Sequence, residues 1–361
     1  MFASQSSVRD WTHCKYLYKL RVINEITPRF TPRPMSIGTL VHKGFDVAWR
    51  TASVLAACDA IAEHQAQALE SDTVREYLTD EQRDQALLDT AAAQSIFERG
   101  WLALEPDAWE VITTADGTPL IEFAMRQHFA KPIGGLVQDG GPPIEGVQGT
   151  LDFALKNRAT GHRWLFDLKV PKVLASEDFY ATQTQAPVYQ HLLRTLHGVE
   201  LDGSAIYQVR AAVPSTPELN KTLAKGEQRP RMSRSGLSTD WATYRRALLA
   251  NGLQPAEYAD VEAKLKSFER VDYFMSTPQY VQRVWDDFSC HVADMASALS
   301  FPRSLNPHNC RGCHHRAYCT ADLEGMDTQV LERTTYQRPG VDGFFMAMES
   351  DDDNDGGGFY L

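Results

Sequence analysis

The stretch from Gln148 to Lys169, QGTLDFALKNRATGHRWLFDLK, restricts this chain most, because it alternates in two runs separated by one polar break. A period of two marks a strand with unlike faces. In the first run Leu151, Phe153 and Leu155 share one face, and Thr150, Asp152 and Ala154 share the other. In the second, Trp164, Phe166, Leu168 and Val170 oppose Leu165, Asp167 and Lys169. Between them, Asn157-Arg158-Ala159-Thr160-Gly161-His162 supplies the polar residues and the glycine of a hairpin connection. Pairing of the strands brings Asp152 and Asp167 onto one face, with Lys169 two residues beyond the second carboxylate. Two hard oxygen donors beside an ammonium suit a divalent cation that handles phosphate. A hairpin with an ordinary wet face gives the same alternation, so the stretch by itself leaves both readings open.

The ordered set around the hairpin resembles the PD-(D/E)XK nuclease superfamily, specifically its RecB-like branch. The resemblance rests on Gly149-Thr150-Leu151-Asp152 and Asp167-Leu168-Lys169, with His42 upstream in IGTLVHKGF and Gln185-Ala186-Pro187-Val188-Tyr189 downstream. It runs from about Ser4 to Cys319. It implies an α/β fold, a small mixed sheet flanked by helices around a restriction-endonuclease-like core. It also implies DNA hydrolysis with Mg²⁺ or Mn²⁺ held by His42, Asp152, Asp167 and the Leu168 carbonyl. Lys169 would then act at the reacting phosphate, and Gln185 and Tyr189 would hold substrate or the lysine. Glu122 stands where this branch often carries a glutamate, which suits either support of the site from behind or an ordinary exposed strand glutamate.

A second constellation lies near the end, in Cys310-Arg-Gly-Cys313-His-His-Arg-Ala-Tyr-Cys319. The C-x2-C and C-x5-C spacings place three thiols in one loop, and Cys14 is the candidate fourth. AddB-like nucleases and the CRISPR adaptation nucleases of the same branch share this layout, with one cysteine before the core and three after it. The resemblance implies a [4Fe–4S] cluster on Cys14, Cys310, Cys313 and Cys319. A zinc site that also draws on His308, His314 or His315 is the rival. Cys58 and Cys290 fall outside the pattern and are expected in the core.

The rest of the chain reads as helices around a late-starting sheet. A serine-capped helix over residues 4–25 precedes a proline-rich linker at Thr27–Pro34. One long helix is expected over 36–70 and another from Asp80 to about Leu104. Strands follow near Trp109 and over Pro119–Phe129, with a glycine- and proline-rich loop at Lys131–Pro143. A helix over Ser176–His197 contains Pro187, which marks either a kink or a late helix start, and a strand is expected at Ala205–Ala212. Helices over 241–251, 255–268 and 278–299 flank a short strand at 271–275. The expected domains are residues 1–35, a helical region 36–108, a nuclease core 109–300 with an insertion at about 214–270, a cysteine region 301–325 and a tail 326–361.

The formal charge of −11 argues against a generic basic coat for nucleic acid, but not against a local groove. Residues 214–240 are basic, which suits either a loop over substrate phosphates or a plain solvated insertion. No apolar run reaches membrane-spanning length and no signal-peptide segment is present, so a cytoplasmic protein without a membrane partner is expected. The tail SDDDNDGGGFYL reads as disordered, a segment for a protein partner or a nucleic-acid mimic. No Walker motif occurs, so any helicase would be a separate chain. The expected function is an exonuclease acting on single-stranded or resected DNA ends in recombination or repair. Its rivals are an inactive nucleic-acid-binding or adaptor protein on the same fold, and a zinc-stabilised interaction protein.

Overall fold

The structure, a computed structural model, describes residues 1–28, 33–70, 79–134, 143–220, 230–304 and 306–337. Its strands are β1 (Phe2–Ala3), β2 (Thr27–Pro28), β3 (Trp109–Val111), β4 (Ile121–Ile133), β5 (Ile144–Asn157), β6 (Arg163–Lys169), β7 (Gly203–Val209), β8 (Glu269–Met275) and β9 (Tyr336–Gln337). All but β2 and β9 form one seven-stranded mixed sheet, so the fold is the α/β class expected.

β5 is the strand on which the others hang. One edge pairs antiparallel with β4 and β3; the other pairs antiparallel with β6 and, nearer the start of β5, parallel with β1. The β5–β6 ladder runs from Lys156↔Arg163 to Phe153↔Phe166 and stops there. The next pair would be Asp152 and Asp167, so the two strands part at the carboxylates and leave a fork. β6 continues parallel to β7, with Asp167↔Ile206 and Lys169↔Gln208 in register, and β7 pairs antiparallel with β8.

Each face of the sheet buries its own cluster. On one face the helix Arg33–Thr51, which carries His42, packs with Val54–Glu70 and Asp80–Ala103 over Phe153, Leu155, Trp164, Phe166 and Leu168. Phe45 stacks on Phe153 (6.1 Å, 9° between planes), and Phe153 on Phe166 (5.3 Å, 21°). On the other face Gln5–His13, Gln185–His197 and Pro278–Ala296 cover Ala154 and Leu165. Burying one such large apolar side chain stabilises by about 1.5–3 kcal/mol, so these two layers dominate the fold's stability. Ser4 and Thr79 open their helices with full capping boxes.

Several expectations need correction. The single helix over 36–70 is two helices, because Ala52 adopts a left-handed φ of 52° and reverses the chain. The helix over Ser176–His197 is also two, Glu177–Ala181 and Gln185–His197. Pro187 therefore lies in a first turn, where its missing N–H would have no helical partner anyway. Residues 255–268 hold only a 3₁₀ turn at Pro255–Tyr258 and a short helix at Ala259–Glu262. Leu151 packs with Ala154 and Leu165, not with Phe153 and Leu155, because β5 has left β6 by that point and twists towards β1. Within the proline-rich linker, Thr27 and Pro28 pair with Gln337 and Tyr336. Cys290 is exposed, while Cys58 is half-buried against the His42-side cluster. The acidic tail lies outside the described residues. Among those described, no helix is long and apolar enough to cross a membrane.

Candidate functional site

The fork brings together residues from four elements, the helix Arg33–Thr51, β4, β5 and β6. The Leu168 N–H donates to Asp152 Oδ2 (2.6 Å), bridging the strands where their ladder has ended. The Leu168 carbonyl accepts from His42 Nε2 (3.0 Å). That bond fixes the tautomer and leaves Nδ1 with the free lone pair in the neutral ring. Nδ1 faces two carboxylates, Asp152 Oδ1 at 3.6 Å and Glu122 Oε1 at 3.7 Å. One donor atom from each of His42, Glu122 and Asp152 lies within 4.8 Å of the others. Glu122 sits on β4 opposite Asp152, between the pairs Ile121↔Phe153 and Phe123↔Leu151. Its φ of 43° is left-handed inside a strand, a conformation that costs of order 1–3 kcal/mol and survives only where its surroundings enforce it.

Asp167 and Lys169 occupy the same face of β6, two residues apart. Asp167 is 4% exposed, and Lys169 Nζ lies 2.9 Å from each of its oxygens, hydrogen-bonding Oδ1. Burial drives the Lys169 pKa down, but Asp167 and Asp152 more than reverse this, so the ammonium is held above its ordinary range. Burial raises the Asp152 carboxyl; His42 opposes the rise, and Asp167 adds to it. His42 is pulled down by burial, yet Asp152 and Glu122 leave it net raised. The causes differ: Asp152 holds its proton more tightly first because it is buried and then because Asp167 and Glu122 lie near, whereas His42 is raised by the neighbouring carboxylates against its burial. Asp167 Oδ2 is also buried without a well-aligned donor. Two hard carboxylates, one imidazole and uncompensated negative charge fit a divalent cation.

The Gln185-x-x-x-Tyr189 pair closes the floor. Tyr189 is buried, and its hydroxyl pKa is pushed up to about 12, first by burial and then by Asp152 and Asp167. The Gln185 side chain hydrogen-bonds the phenol. A Cβ at residue 149 would stand 2.4 Å from Tyr189 Cε1, so Gly149 is the residue that lets the ring reach this position. The loop after Lys169 is clamped as well. Gln208 Oε1 accepts from Ala175 N–H (2.8 Å), its amide donates to Ala175 O (3.3 Å) and to Asp272 (3.1 Å), and Arg270 donates to the same Ala175 carbonyl.

The residues anticipated here come together, Glu122 takes another place than expected, and one neighbour, Tyr180, was missed. Glu122 stands in the donor group itself, not behind it; only its backbone distortion explains how its carboxylate gets there, and no residue pattern signals a left-handed glutamate. Buried Tyr180 interacts with both Lys169 and Asp167 from the five-residue helix Glu177–Ala181, too short to show periodicity. The Leu168 carbonyl is engaged by His42.

The four spaced cysteines form a separate locus. Cys14 is extended (φ −161°, ψ 114°) at a break between Gln5–His13 and Lys15–Tyr18. Cys310 ends the helix Pro307–Cys310, and Cys319 lies in Arg316–Leu323. Burial raises the Cys313 thiol, and Cys14, Cys310 and Cys319 are near enough to raise it further. Three sulfurs receive donors: Ser304 N–H to Cys14 (3.3 Å), the His315 backbone to Cys313, and the Arg303 side chain to Cys319. His315 is buried, with Nε2 bonded to the Ile26 carbonyl (2.8 Å), while His308 and His314 are exposed. Tyr16, Leu20, Ile26, Tyr318 and Tyr336 form a small core beside the thiols.

A family profile, that of the PD-(D/E)XK nuclease superfamily, matches residues 3–320. No curated protein matches the chain. Nine chains of known structure do. One is a Eubacterium rectale crystal structure bearing the name "Putative exonuclease", with 11% identity and a TM-score of 0.36 over 78% of this chain and 87% of that one.

Proposed function

The chain belongs to the PD-(D/E)XK nuclease superfamily, and from that premise we propose that it is a Mg²⁺- or Mn²⁺-dependent deoxyribonuclease. The reading extends to an exonuclease that acts on single-stranded or resected ends in recombination or repair. The observation that carries it is the fork, where His42, Glu122 and Asp152 gather donor atoms beside the Asp167–Lys169 pair. His42 Nδ1, Asp152, Glu122 and Asp167 are the residues that would hold the cation. When bound, the ion supplies Lewis acidity to the phosphodiester and lowers the pKa of an attacking water. Lys169 keeps its proton and faces the position of the phosphate oxygens, where a fixed cation stabilises the charge that develops as the bond to the leaving oxygen breaks. Asp167 aims that ammonium, and Tyr189, itself bonded to Gln185, walls the pocket from the helix side.

The same proposal assigns a [4Fe–4S] cluster to Cys14, Cys310, Cys313 and Cys319. Support comes from the C-x2-C-x5-C spacing with Cys14 upstream, and from the nearness of Cys14, Cys310 and Cys319 to Cys313.

The deciding experiment incubates end-labelled DNA with purified protein and Mg²⁺, Mn²⁺ or a chelator. Metal-dependent shortening from an end is the expected result. Binding without cleavage would favour an inactive nucleic-acid-binding protein, and neither would favour an interaction protein. Anaerobic purification tests the cluster: brown protein with iron and acid-labile sulfide supports it, and colourless zinc-loaded protein overturns it.

A further inference from the structure

Between β7 and β8 the chain makes an excursion over residues 210–268 in which the sign of its charge reverses. These residues include ten lysines and arginines against six aspartates and glutamates, a net of +4 in a chain whose total is −11. The remainder therefore carries −15.

The described part of the excursion has a core of its own, Met232, Tyr244, Ala247, Leu248, Tyr258 and Val261. The helix Trp241–Ala250 is capped by Asp240, which accepts from Thr243 N–H (2.6 Å), and buries Tyr244, Ala247 and Leu248. Arg245 and Arg246 are exposed, and no carboxylate lies in the helix. Trp241, Arg245 and Leu249 follow one another at four-residue steps and so form one stripe. Trp241 lies nearly parallel to Tyr244 (5.9 Å, 18°), which fixes its plane. Arg234 serves the subdomain itself, stacking on Tyr258 (4.5 Å) and pairing with Asp260 (2.7 Å).

The excursion is rooted beside the fork. β6 and β7 are parallel, so the carboxyl end of β6, which carries Asp167 and Lys169, and the carboxyl end of β7 lie at the same end of the sheet. The register Lys169↔Gln208↔Arg270 places the re-entry strand two strand spacings, about 10 Å, from Lys169. Asp240, at the start of the helix, lies beside Glu269, the first residue of β8. A strand with one phosphate at Lys169 must lay its next phosphates somewhere on a strongly acidic protein, and this is the region where the sign is favourable.

We propose that the face of Trp241–Ala250 bearing Arg245, Arg246 and Trp241 is the docking surface for single-stranded DNA that flanks the phosphate held in the fork. The arginines meet backbone phosphates and the half-buried Trp241 beside them is the aromatic a base can contact, the combination of charge and aromatic ring that sequence-tolerant binders use. The proposal rests on the nuclease reading for its ligand, and its test separates the two.

Full-length Arg245→Gln/Arg246→Gln and Arg245→Glu/Arg246→Glu proteins are titrated with fluorescein-labelled oligothymidylate in chelator, at salt from about 50 to 200 mM. Each lost phosphate contact on a single strand lowers the log–log salt slope by about 0.7, so the Gln pair is expected to flatten it by about 1.4. The Glu pair should weaken binding further, by at least tenfold at the low-salt end. Turnover of bis(p-nitrophenyl) phosphate, too small to span fork and helix, should be unchanged in both. Wild-type affinity and slope in both variants overturn the docking surface. An inert wild type towards the small ester and towards DNA overturns the nuclease reading, while the binding slopes still decide the surface.

Discussion

The fork and the cysteine locus are both sets of metal-type donors, but the protein builds them in opposite ways. In the fork, strands of the seven-stranded sheet carry Glu122, Asp152 and Asp167 and a helix packed on it carries His42, with the Leu168 N–H and C=O holding Asp152 and His42. The thiols stand on short helices and at a helix break, beside a five-residue core. The fork is therefore arranged by the fold in advance, and an ion would relieve its excess charge without creating its shape. At the cysteine locus, a cluster on the four thiols, as proposed, would supply much of the order of the segments that carry them. One site borrows its order from the core; the other would lend order to its surroundings.

The sharpest way to break that contrast is to remove charges from the fork. Lys169→Ala, Asp167→Ala and Asp152→Ala should each lower DNA cleavage by about a thousandfold or more, while the thermal midpoint stays within a few degrees of wild type. A large fall in that midpoint for all three would mean that the fork too is structural. Cys14→Ala should do the reverse. Linking Cys14 to Cys310 closes a loop worth roughly 5–6 kcal/mol in the cross-link entropy model, an upper bound comparable to a domain's whole net stability. The expected outcome is loss of the cluster and protease sensitivity within residues 301–337, with activity lost only as a consequence. A Cys14→Ala protein that keeps its full metal content breaks the comparison.

Gly149→Ala sharpens it on the fork side. The new methyl meets Tyr189 at 2.4 Å, so about 1–3 kcal/mol of overpacking is expected together with weaker cleavage. Unaltered stability and activity would show that the ring has room to yield. The smallest effect belongs to Cys58→Ala, which should cost about 1 kcal/mol or less and leave the colour intact, because Cys58 is only half-buried and contacts Glu98 through its sulfur (3.5 Å).

What could be read from residues alone follows from which forces are periodic. The hairpin of β5 and β6 was legible because burial alternates along it, and Asp152, Asp167 and Lys169 interrupt an apolar pattern with charge. Gln185 and Tyr189 were legible as a helical four-residue step. The distortions were not. Ala52 and Glu122 take left-handed backbones that their side chains disfavour, so nothing local announces a helix reversal or a carboxylate turned into the site. β1 is two residues long and exists only because β5 offers it an edge. The excursion's helix was anticipated, but its separate core comes from contacts between Tyr244, Tyr258 and Met232 that no single window contains.

The meeting of the chain's two ends at the thiols also has a consequence in time. His13 and Asn309 clasp each other's backbone carbonyls (3.0 and 2.6 Å), β2 pairs with β9, and Cys14 faces partners 296 to 305 positions later. At about 5–20 residues per second, a ribosome takes roughly 15–60 s to travel from Cys14 to Cys310. His42, Asp152, Asp167 and Lys169 will all have emerged long before then. The contacts that residues 13–28 make with residues 309–337 can close only late in synthesis, and Cys14 emerges long before Cys310.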